Sequence, residues 1–516
     1  MRLTKKWLMP VLALSVATAC SGGSGEDLKA SEASQAPGNA GKQEAPIEIS
    51  WLSFNFPQED GTIVQKYLEN KFNVKIKNIR IDRANWKDQL NVRLASGELP
   101  DLWLLWGVSD VNAYASQNLL AELPVEEIKA QIPDLGKLVD DKEPGAWVDG
   151  MINGKNYGIP ITNLDGAYPL LNTYNENWLK KIGYDSPPVT LEQLEDVLYK
   201  FRNDDPDGNG KKDTYGLTGK AAYSVGESFP GIFGAFDVQP DYWRKTGDGR
   251  VEYGITTEDA RAAFRLLNKW FKDGVLDPEF ITADGKKQEF ENGRVGMTQY
   301  SWPYIKPSAR EYQKQTNSSY FPLVTGKQPA APGHVGHSRA WGLTGNYLGM
   351  GIDVEKTPGK KKKLYEMINA MYSDEEVIKY VSSGEEGVHY DMVEGIPVTK
   401  PEFKSKLQNL GIGAFYGLLS SKSLAFEPLR NPPEDLEWRA AVTKDIPMQA
   451  DQVKFNLPSR TRFPDLANLE REYFIKFITG EVNLDAGFGE FVERWKKAGG
   501  QVLTEEANSI LANIAR

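Results

Sequence analysis

The stretch "IEISWLSFNFPQEDGTIVQKYLENKFNVKIKNIRI", residues 47–81, predicts a strand, a helix and a second strand. Its first part, 47–54, is short, apolar and β-branched, as in a buried strand, whereas 61–73 carries apolar residues at helical spacing. A helix through "NWKDQLNVRLASG" and the apolar run "PDLWLLW" (100–106) continue the alternation. Strand, helix, strand, helix, strand is the pattern of a parallel α/β layer, so we expect an α/β fold.

Helical spacing recurs along the rest of the chain, and no short internal repeat is present. The further helices that we predict are 190–202, with Thr190 as its cap, 257–274, 361–373, 374–383, 436–447, 467–479 and 484–498.

The N-terminus predicts export. Three cations precede an apolar stretch that ends at Ala19, and the only cysteine, Cys20, follows. We interpret residues 1–19 as a signal peptide. The small residues before Cys20 resemble a bacterial lipobox, which implies that the cysteine is diacylated. An ordinary signal peptide with an unmodified cysteine is the alternative. The apolar stretch is shorter than the ~18 residues of a membrane helix, so we expect lipid attachment at the extracellular face of the cell membrane.

Residues 21–46 are rich in Ser, Gly, Ala, Glu and Gln, with almost no large apolar side chain. Such a segment cannot bury enough surface to order itself, so we expect residues 20–46 to be a lipid-anchored cysteine with a flexible tether. About 470 residues remain, enough for two or three cores. The formal net charge of −10 argues against a nucleic-acid partner.

An ordered set of motifs carries a family resemblance. The motifs are "LASGELPDLWLLW", "GKNYGIPI", "LLNTYNENWLKKIGYDSPPVTLEQLEDVL", "FENGRVGMTQYSWPYI", "GEEGVHYD" and "FITGEVNLDAGFGEFVERWKKAGGQ". Together with the lipobox they resemble the extracellular solute-binding lipoproteins of carbohydrate ABC importers, in particular the large members from Gram-positive bacteria.

The resemblance implies a two-lobed periplasmic-binding-protein-like fold of type II, with discontinuous lobes and hinge crossovers. We expect lobe 1 to comprise 47–163 plus about 335–400, and lobe 2 to comprise 164–334 plus about 401–516. Ligand would bind between the lobes, beyond the carboxyl ends of the strands, where α/β folds and interdomain clefts place their pockets. The resemblance also implies a monomeric receptor that is not an enzyme.

Sugar recognition needs aromatic rings for the C–H faces and polar groups for the hydroxyls, and the chain has 13 Trp and 22 Tyr. In the first lobe, Trp106 ends a predicted strand, and Ser109 and Asp110 follow it. Alternation along the strand places Trp103 and Trp106 on opposite faces, and we expect Trp106 to reach the ligand. Packing in the core is the alternative for both tryptophans.

In the second lobe, Pro303 should end the strand in "MTQYSWPYI", leaving Tyr300, Trp302 and Tyr304 as exposed loop aromatics. We predict that Tyr300 and Trp302 bind ligand. Further candidates, for each of which a packed or rim position is the alternative, are Trp341, Glu386, Tyr390 and Trp438.

Neither a transition-metal site nor an active site has a strong signature in this sequence. His334 and His337 in "GHVGHS" are a weak signal, because the spacing alone does not define a transition-metal site. The main catalytic signatures G-x-S-x-G, H-E-x-x-H and GxxxxGK[ST] are missing from the sequence.

A calcium loop is the stronger prediction. The stretch "DPDGNGKKD" follows the start of an EF-hand-type loop, in which alternate oxygen ligands converge on one ion. Gly216 stands where the loop would have its closing Glu, and Thr214 follows the last Asp, so the final ligand is undefined. A solvated Asp/Asn/Gly turn is the alternative. The predicted calcium ligands are Asp205, Asp207, Asn209, the backbone carbonyl of Lys211, and Asp213.

The sequence therefore predicts a lipid-anchored receptor that captures an oligosaccharide between two lobes and delivers it to an ABC importer permease. A receptor for a peptide or another solute is the alternative within the same class. A secreted glycoside-cleaving enzyme, which needs two carboxylates facing one cleft, is the alternative from another class.

Overall fold

Two separate β-sheets organise the chain. The computed structural model describes residues 45–514 with gaps, and the gaps are 54–58, 83–85, 153, 223, 283–289, 306–314, 316, 318–322, 414–415, 417–422, 449–451, 454 and 456. The predicted signal peptide, Cys20 and nearly all of the tether lie outside the described residues.

The strands are β1 (Ile47–Ser53), β2 (Val74–Arg80), β3 (Leu102–Leu105), β4 (Met151–Ile152), β5 (Lys155–Asn156), β6 (Ile159–Thr162), β7 (Leu171–Asn175), β8 (Tyr215–Leu217), β9 (Trp243–Lys245), β10 (Val251–Tyr253), β11 (Val295–Tyr300), β12 (Leu323–Gly326), β13 (Thr344–Met350), β14 (Tyr390–Val393), β15 (Ile396–Thr399) and β16 (Gln452–Val453).

The helices are α1 (Ile63–Phe72), α2 (Trp86–Ala95), α3 (Val108–Ser116), α4 (Val125–Gln131), α5 (Pro133–Lys142), α6 (Ala146–Asp149), α7 (Glu176–Lys181), α8 (Leu191–Asn203), α9 (Pro230–Ala235), α10 (Glu258–Lys272), α11 (Lys360–Ser373), α12 (Glu375–Ser383), α13 (Leu407–Leu410), α14 (Glu427–Arg430), α15 (Pro433–Thr443), α16 (Leu466–Thr479), α17 (Leu484–Trp495) and α18 (Gln501–Ile514).

The first sheet has the order β2-β1-β3-β13-β6. β1 pairs in parallel with β2 and β3, so the alternation predicted from residues 47–106 is confirmed. β13, which comes much later in the chain than β6, lies between β3 and the edge strand β6 and pairs antiparallel with both. The second sheet has the order β12-β7-β11-β8, in which only the β11–β8 pair is parallel.

Each sheet has its own apolar core. Trp51 and Tyr365 are buried in the core of the first sheet, and Trp178, Trp270 and Phe474 are buried in that of the second. The helices follow from local signals as well as burial. In α8, for example, the Thr190 hydroxyl accepts from the Gln193 N–H and the Gln193 side chain accepts from the Thr190 N–H, a capping box that fixes the start of the helix.

The chain crosses between the sheets in two neighbouring segments, 163–170 and 339–343. These crossing segments are hydrogen-bonded to each other, with the Gly342 N–H donating to the Gly166 carbonyl at 2.9 Å and the Leu170 N–H to the Arg339 carbonyl at 2.8 Å. A Cβ on Gly166 would lie 2.2 Å from the Gly342 carbonyl oxygen, so only glycine permits this approach. The two-lobed α/β fold is confirmed.

A third passage between the lobes comes after Tyr416. Ile412 and Tyr416 are buried in the core of the first sheet, whereas Leu436 packs beside the second. This passage comes later in the chain than the boundary that we expected near residue 400, because Ile412 and Tyr416 still belong to the first core. The passage is tied to the first crossing segment by Arg430, whose Nη2 donates to both carboxylate oxygens of Asp165 at 2.8 and 2.7 Å.

Candidate ligand-binding site

An aromatic surface lies where the second sheet meets the crossing segments. Tyr300 ends β11, and its ring lies 5.4 Å from that of Tyr304, centroid to centroid. The ring of Tyr304 lies 6.3 Å from that of Trp341, in the second crossing segment. Tyr304 is 45% exposed, while Tyr300 and Trp341 are half-buried. Two of the predicted site residues, Tyr300 and Trp341, are thus joined into one partly open surface.

Burial of the Tyr300 hydroxyl raises its pKa to about 12, with smaller contributions from Tyr304, Glu227 and Glu291. Tyr300 is therefore neutral at physiological pH and presents a hydroxyl that can both donate and accept.

Trp302 is buried rather than exposed, so the expectation of an exposed loop aromatic is wrong at this position. Residues 302–305 form a helical turn instead of a loop. The indole is 3% exposed and packs against Leu171 and Ile305, with the Tyr168 ring 6.5 Å away. Trp302 supports the aromatic surface from beneath, and its contact with a ligand stays a prediction.

The guanidinium of Arg439 packs against the rings of both Tyr168 and Trp302. Its guanidinium carbon is 4.2 Å from the Tyr168 ring centroid and 4.9 Å from that of Trp302. The same guanidinium donates to Glu427 at 2.5 and 3.3 Å. Desolvated cation–π contacts contribute roughly 2 kcal/mol. We define the residues of this group as the stacked layer, namely Tyr168, Trp302 and Arg439.

Trp438, a further predicted site residue, is half-buried on α15 and packs in the same apolar cluster as Trp302. Sequence reasoning missed Tyr168 and Arg439. The only local signal near Tyr168 is that Gly166 and Pro169 mark a turn, and this does not report the packing of its ring. Arg439 had none, because its partners are distant in the chain.

The first lobe contributes Trp106, which is 36% exposed. It precedes Gly107, whose φ of 129° requires glycine, and a Cβ there would be 3.4 Å from the Gly345 carbonyl oxygen. The turn that carries Trp106 therefore lies against the segment leading out of the second crossing. Ser109, in the first turn of α3, is exposed.

Asp110 is buried and has a structural task. Its carboxylate accepts from the Trp106 N–H at 2.9 Å, and the Lys87 ammonium lies 3.6 Å away. Burial raises the pKa of the Asp110 carboxyl, and the Trp106 N–H and Lys87 offset part of this rise. Asp110 thus fixes the turn that presents Trp106. A direct contact with ligand stays a prediction.

Glu386 and Tyr390 lie on another part of the first lobe. Tyr390 begins β14, is 2% exposed and pairs with Thr399 of β15, while Glu386 is exposed. Tyr390 belongs to a small hairpin, to which Glu386 is joined by an isolated bridge, and the two residues are apart from the aromatic surface around Tyr304. Their role in ligand binding also stays a prediction.

With this geometry established, similarity to known proteins identifies the family. The profile of the bacterial extracellular solute-binding protein family matches residues 62–351, more than half of the chain. The chain belongs to this family. The resemblance seen in the sequence motifs is confirmed.

This solute-binding protein is similar over nearly its whole length to two Bacillus subtilis proteins. It is 25% identical to the lipoprotein LipO, covering 99% of this chain and 98% of LipO. It is 24% identical to the polygalacturonan/rhamnogalacturonan-binding protein YtcQ, covering 97% and 98%.

Among solved structures, the substrate-binding protein FusA of a Streptococcus pneumoniae ABC transporter, in complex with kestose, has the same fold. It aligns with a TM-score of 0.65 and 15% identity, covering 91% of this chain and 99% of FusA. A FusA EF-hand mutant in complex with fructo-nystose aligns with a TM-score of 0.64 and 16% identity, covering 91% and 99%.

The histidines of the solute-binding protein are engaged separately. His337 Nδ1 lies 2.6 Å from Asp237 Oδ1, and His334 Nε2 lies 3.2 Å from Asp259 Oδ1. Over the described ranges, no three His, Cys, Asp or Glu side chains are grouped so that they could hold a metal ion. Likewise, no helix in the described part of the chain is long and apolar enough to cross a membrane.

The predicted calcium loop forms a tight turn after α8. Asp205 has a φ of 47°, and its carboxylate accepts from the N–H groups of Asn209 and Gly210 at 3.1 and 3.0 Å. The Asn209 amide nitrogen donates to Asp207 at 2.7 Å and to Asp213 at 3.2 Å. Burial and the neighbouring Asp205 and Asp213 raise the pKa of Asp207, so the loop concentrates negative charge.

Proposed function

We propose that this protein captures an oligosaccharide between its two lobes and delivers it to the permease of an ABC importer. The observation that carries the proposal is the partly open aromatic surface of Tyr300, Tyr304 and Trp341 beside the crossing segments. In the first lobe, Gly107, which follows Trp106, lies against Gly345, two residues beyond the second crossing segment. Ligands of two-lobed α/β proteins bind in this region.

The chemistry of the surface suits a sugar. Flat rings cover the C–H faces of pyranoses, while the Tyr300 and Tyr304 hydroxyls and the exposed Ser109 offer hydrogen bonds to sugar hydroxyls. The names of YtcQ and of the FusA–kestose complex, which both refer to carbohydrates, support the same ligand class.

Delivery would depend on closure about the crossing segments. A ligand that contacts both lobes binds the closed form better than the open form and shifts the population towards it, and the permease would recognise the closed form. We propose that the receptor works as a monomer, without catalysis, tethered to the extracellular face of the membrane by a diacylated Cys20. The name of the relative LipO supports the anchor.

Calorimetric titration against a panel of oligosaccharides, with peptides as the comparison, tests the ligand class. Binding of at least one sugar with recovery of unaltered ligand is the expected result. Appearance of cleavage products would assign the cleft to a glycoside-cleaving enzyme, and binding of peptides alone would assign it to the other receptor class.

The anchor has its own test. Cys20→Ser should release the protein from membranes into the medium, because the acyl chains would be its only strong attachment. Fractionation of this variant with membranes to the wild-type extent would contradict the lipid anchor.

We also propose calcium as a structural ion in the loop after α8. Asn209 is hydrogen-bonded to the carboxylates of Asp205, Asp207 and Asp213, although in this structure the three carboxylates are not grouped closely enough to hold a metal ion. Calcium would draw them together, with the Asn209 amide rotated so that its oxygen faces the ion. Together with the Lys211 carbonyl they offer the all-oxygen set that calcium prefers. The EF-hand named for FusA supports this assignment. The ion would hold the loop and take no part in sugar binding.

A further inference from the structure

A second cavity lies in the second lobe, apart from the aromatic surface. It has a volume of about 350 Å³ and is lined by the 224–226 loop, β9, β10, the start of α16 and the side chains of Phe455, Leu457 and Arg460. This volume is at the small end of the range for ligand pockets and suits about one sugar unit.

The cavity lies next to the second crossing segment, and one element of its wall contacts the first lobe. Asp241, on its wall, accepts two hydrogen bonds from Arg339 of the second crossing segment, one of them at 2.9 Å. The helical turn Pro458–Arg462, which supplies Arg460 to the wall, approaches α3 in the first lobe. The cavity wall is therefore connected to the second crossing segment and, through Pro458–Arg462, to the first lobe.

Its walls combine aromatic rings with charged groups. The rings of Trp243 and Tyr253 lie 5.0 Å apart, and Phe455 completes the apolar side. Glu470 is buried and fully engaged. One of its oxygens accepts from the Trp495 indole at 2.9 Å, and the other accepts from Arg460 at 3.2 Å.

Arg471 is a charged side chain of the cavity wall whose charge is not matched by a neighbouring carboxylate in the described part of the chain. Both carboxylates of the wall are matched by a cation, Asp241 by Arg339 and Glu470 by Arg460. Arg471 lines the same cavity, and within the described part of the chain it has no hydrogen-bond or ion-pair partner. The cavity thus carries one uncompensated guanidinium, whose planar fork matches a carboxylate.

We propose that this cavity is a subsite for a uronic acid unit, with Arg471 binding the sugar carboxylate and the half-buried Phe455 lying beside the sugar ring, over a floor formed by the buried Trp243 and Tyr253. The inference rests on the proposed function, because it makes the captured oligosaccharide an acidic one. It adds the chemical class of the ligand and the residue that selects it.

The test compares each acid with its own neutral ester. Trimers of galacturonic, glucuronic and mannuronic acid, and their methyl esters, are titrated calorimetrically into the full mature chain. Esterification removes the charge and changes the shape little. At least one acid should bind about ten- to hundredfold tighter than its ester, the range for one hydrogen-bonded charge.

Variants then locate the preference. Arg471→Gln should abolish the difference between acid and ester, and Arg471→Lys should restore only part of it. Arg462→Gln is the matched control, because Arg462 lies in the same lobe outside the cavity and donates to the Ser459 hydroxyl. This control should keep the wild-type preference. Melting curves of the variants verify that each is folded.

The outcomes separate the two proposals. Capture of sugars with equal affinity for acid and ester, or an acid preference that survives in Arg471→Gln, overturns the uronate subsite and leaves the oligosaccharide receptor intact. A folded protein that binds no sugar, charged or neutral, overturns the proposed function and the subsite with it.

Discussion

The two lobes present aromatic residues to the ligand in different ways. In the second lobe, Tyr300 packs against the cluster that contains Trp302, and Tyr304 contacts Tyr300. Trp302 is 3% exposed, and Arg439 beside it is buried. In the first lobe the ring of Trp106 projects from a turn held by Asp110. Substitutions beneath the second-lobe surface should therefore affect stability, whereas substitution of the first-lobe ring should affect affinity.

The largest effect is expected for Trp302→Ala. Removing this buried indole leaves a cavity between Leu171 and Ile305 and removes one of the two rings that contact Arg439. Large-to-small changes of this kind cost about 3–5 kcal/mol in the free energy of unfolding. Urea denaturation measures the loss, with Trp302→Phe as a milder control. A loss below ~1 kcal/mol in the free energy of unfolding, together with greatly weakened sugar binding, would instead indicate that Trp302 contacts the ligand.

The next effect concerns the loop after α8, which belongs to the same lobe but not to its aromatic surface. Calcium bound only to the folded state adds RT ln(1 + [Ca]/Kd), about 2.7 kcal/mol at a hundredfold excess over Kd. A chelator should lower the melting temperature, and millimolar calcium should restore it, while sugar affinity below the transition stays unchanged.

Two double variants test where calcium acts. Asp205→Ala with Asp207→Ala should remove the response to calcium, whereas Asp185→Ala with Asp445→Ala, at two carboxylates elsewhere on the surface, should retain it. Identical melting curves of metal-free protein with and without calcium would return the loop to an ordinary surface turn.

Trp106→Ala tests the first lobe. Because the ring is 36% exposed, we expect the free energy of unfolding to change by less than about 0.5 kcal/mol. Sugar affinity should fall by about 1–3 kcal/mol, as for loss of an aromatic anchor. Trp103→Ala is the matched comparison, since that ring is fully buried on β3, which ends just before Trp106, and its loss should lower stability. Unchanged sugar affinity in Trp106→Ala would mean that the Trp106 ring does not contact the ligand.

The elements that could be predicted from the sequence are those with local signals. β1, α1, β2, α2 and β3 were predictable because their periodicity and flanking turns are local signals. Trp302 was misplaced because Arg439, which covers it, lies 137 residues further along the chain, and no local pattern reports such a contact. The Arg430–Asp165 pair escaped prediction for the same reason.

The smallest effect is expected for Asp110→Asn, which keeps an acceptor for the Trp106 N–H but removes the charge. Burial raises the folded-state pKa of Asp110, whose side chain is 5% exposed, above its ordinary value of 3.8. The folded protein then binds this proton more tightly than the unfolded chain does. The contribution of Asp110 to stability is therefore fully present below the unfolded-state pKa and is lost as the pH rises through the folded-state pKa.

The amide of the Asp110→Asn variant does not titrate, so the stability of this variant relative to wild type should rise over this interval and stay level at neutral pH. Urea denaturation of both proteins from pH 4 to 8, about the span over which a shifted carboxyl titrates, measures the difference. A relative stability that falls with rising pH would mean that Lys87, 3.6 Å away, outweighs burial and lowers the pKa. The turn under Trp106 would then be held by an ion pair, as Arg439 is held by Glu427 in the other lobe.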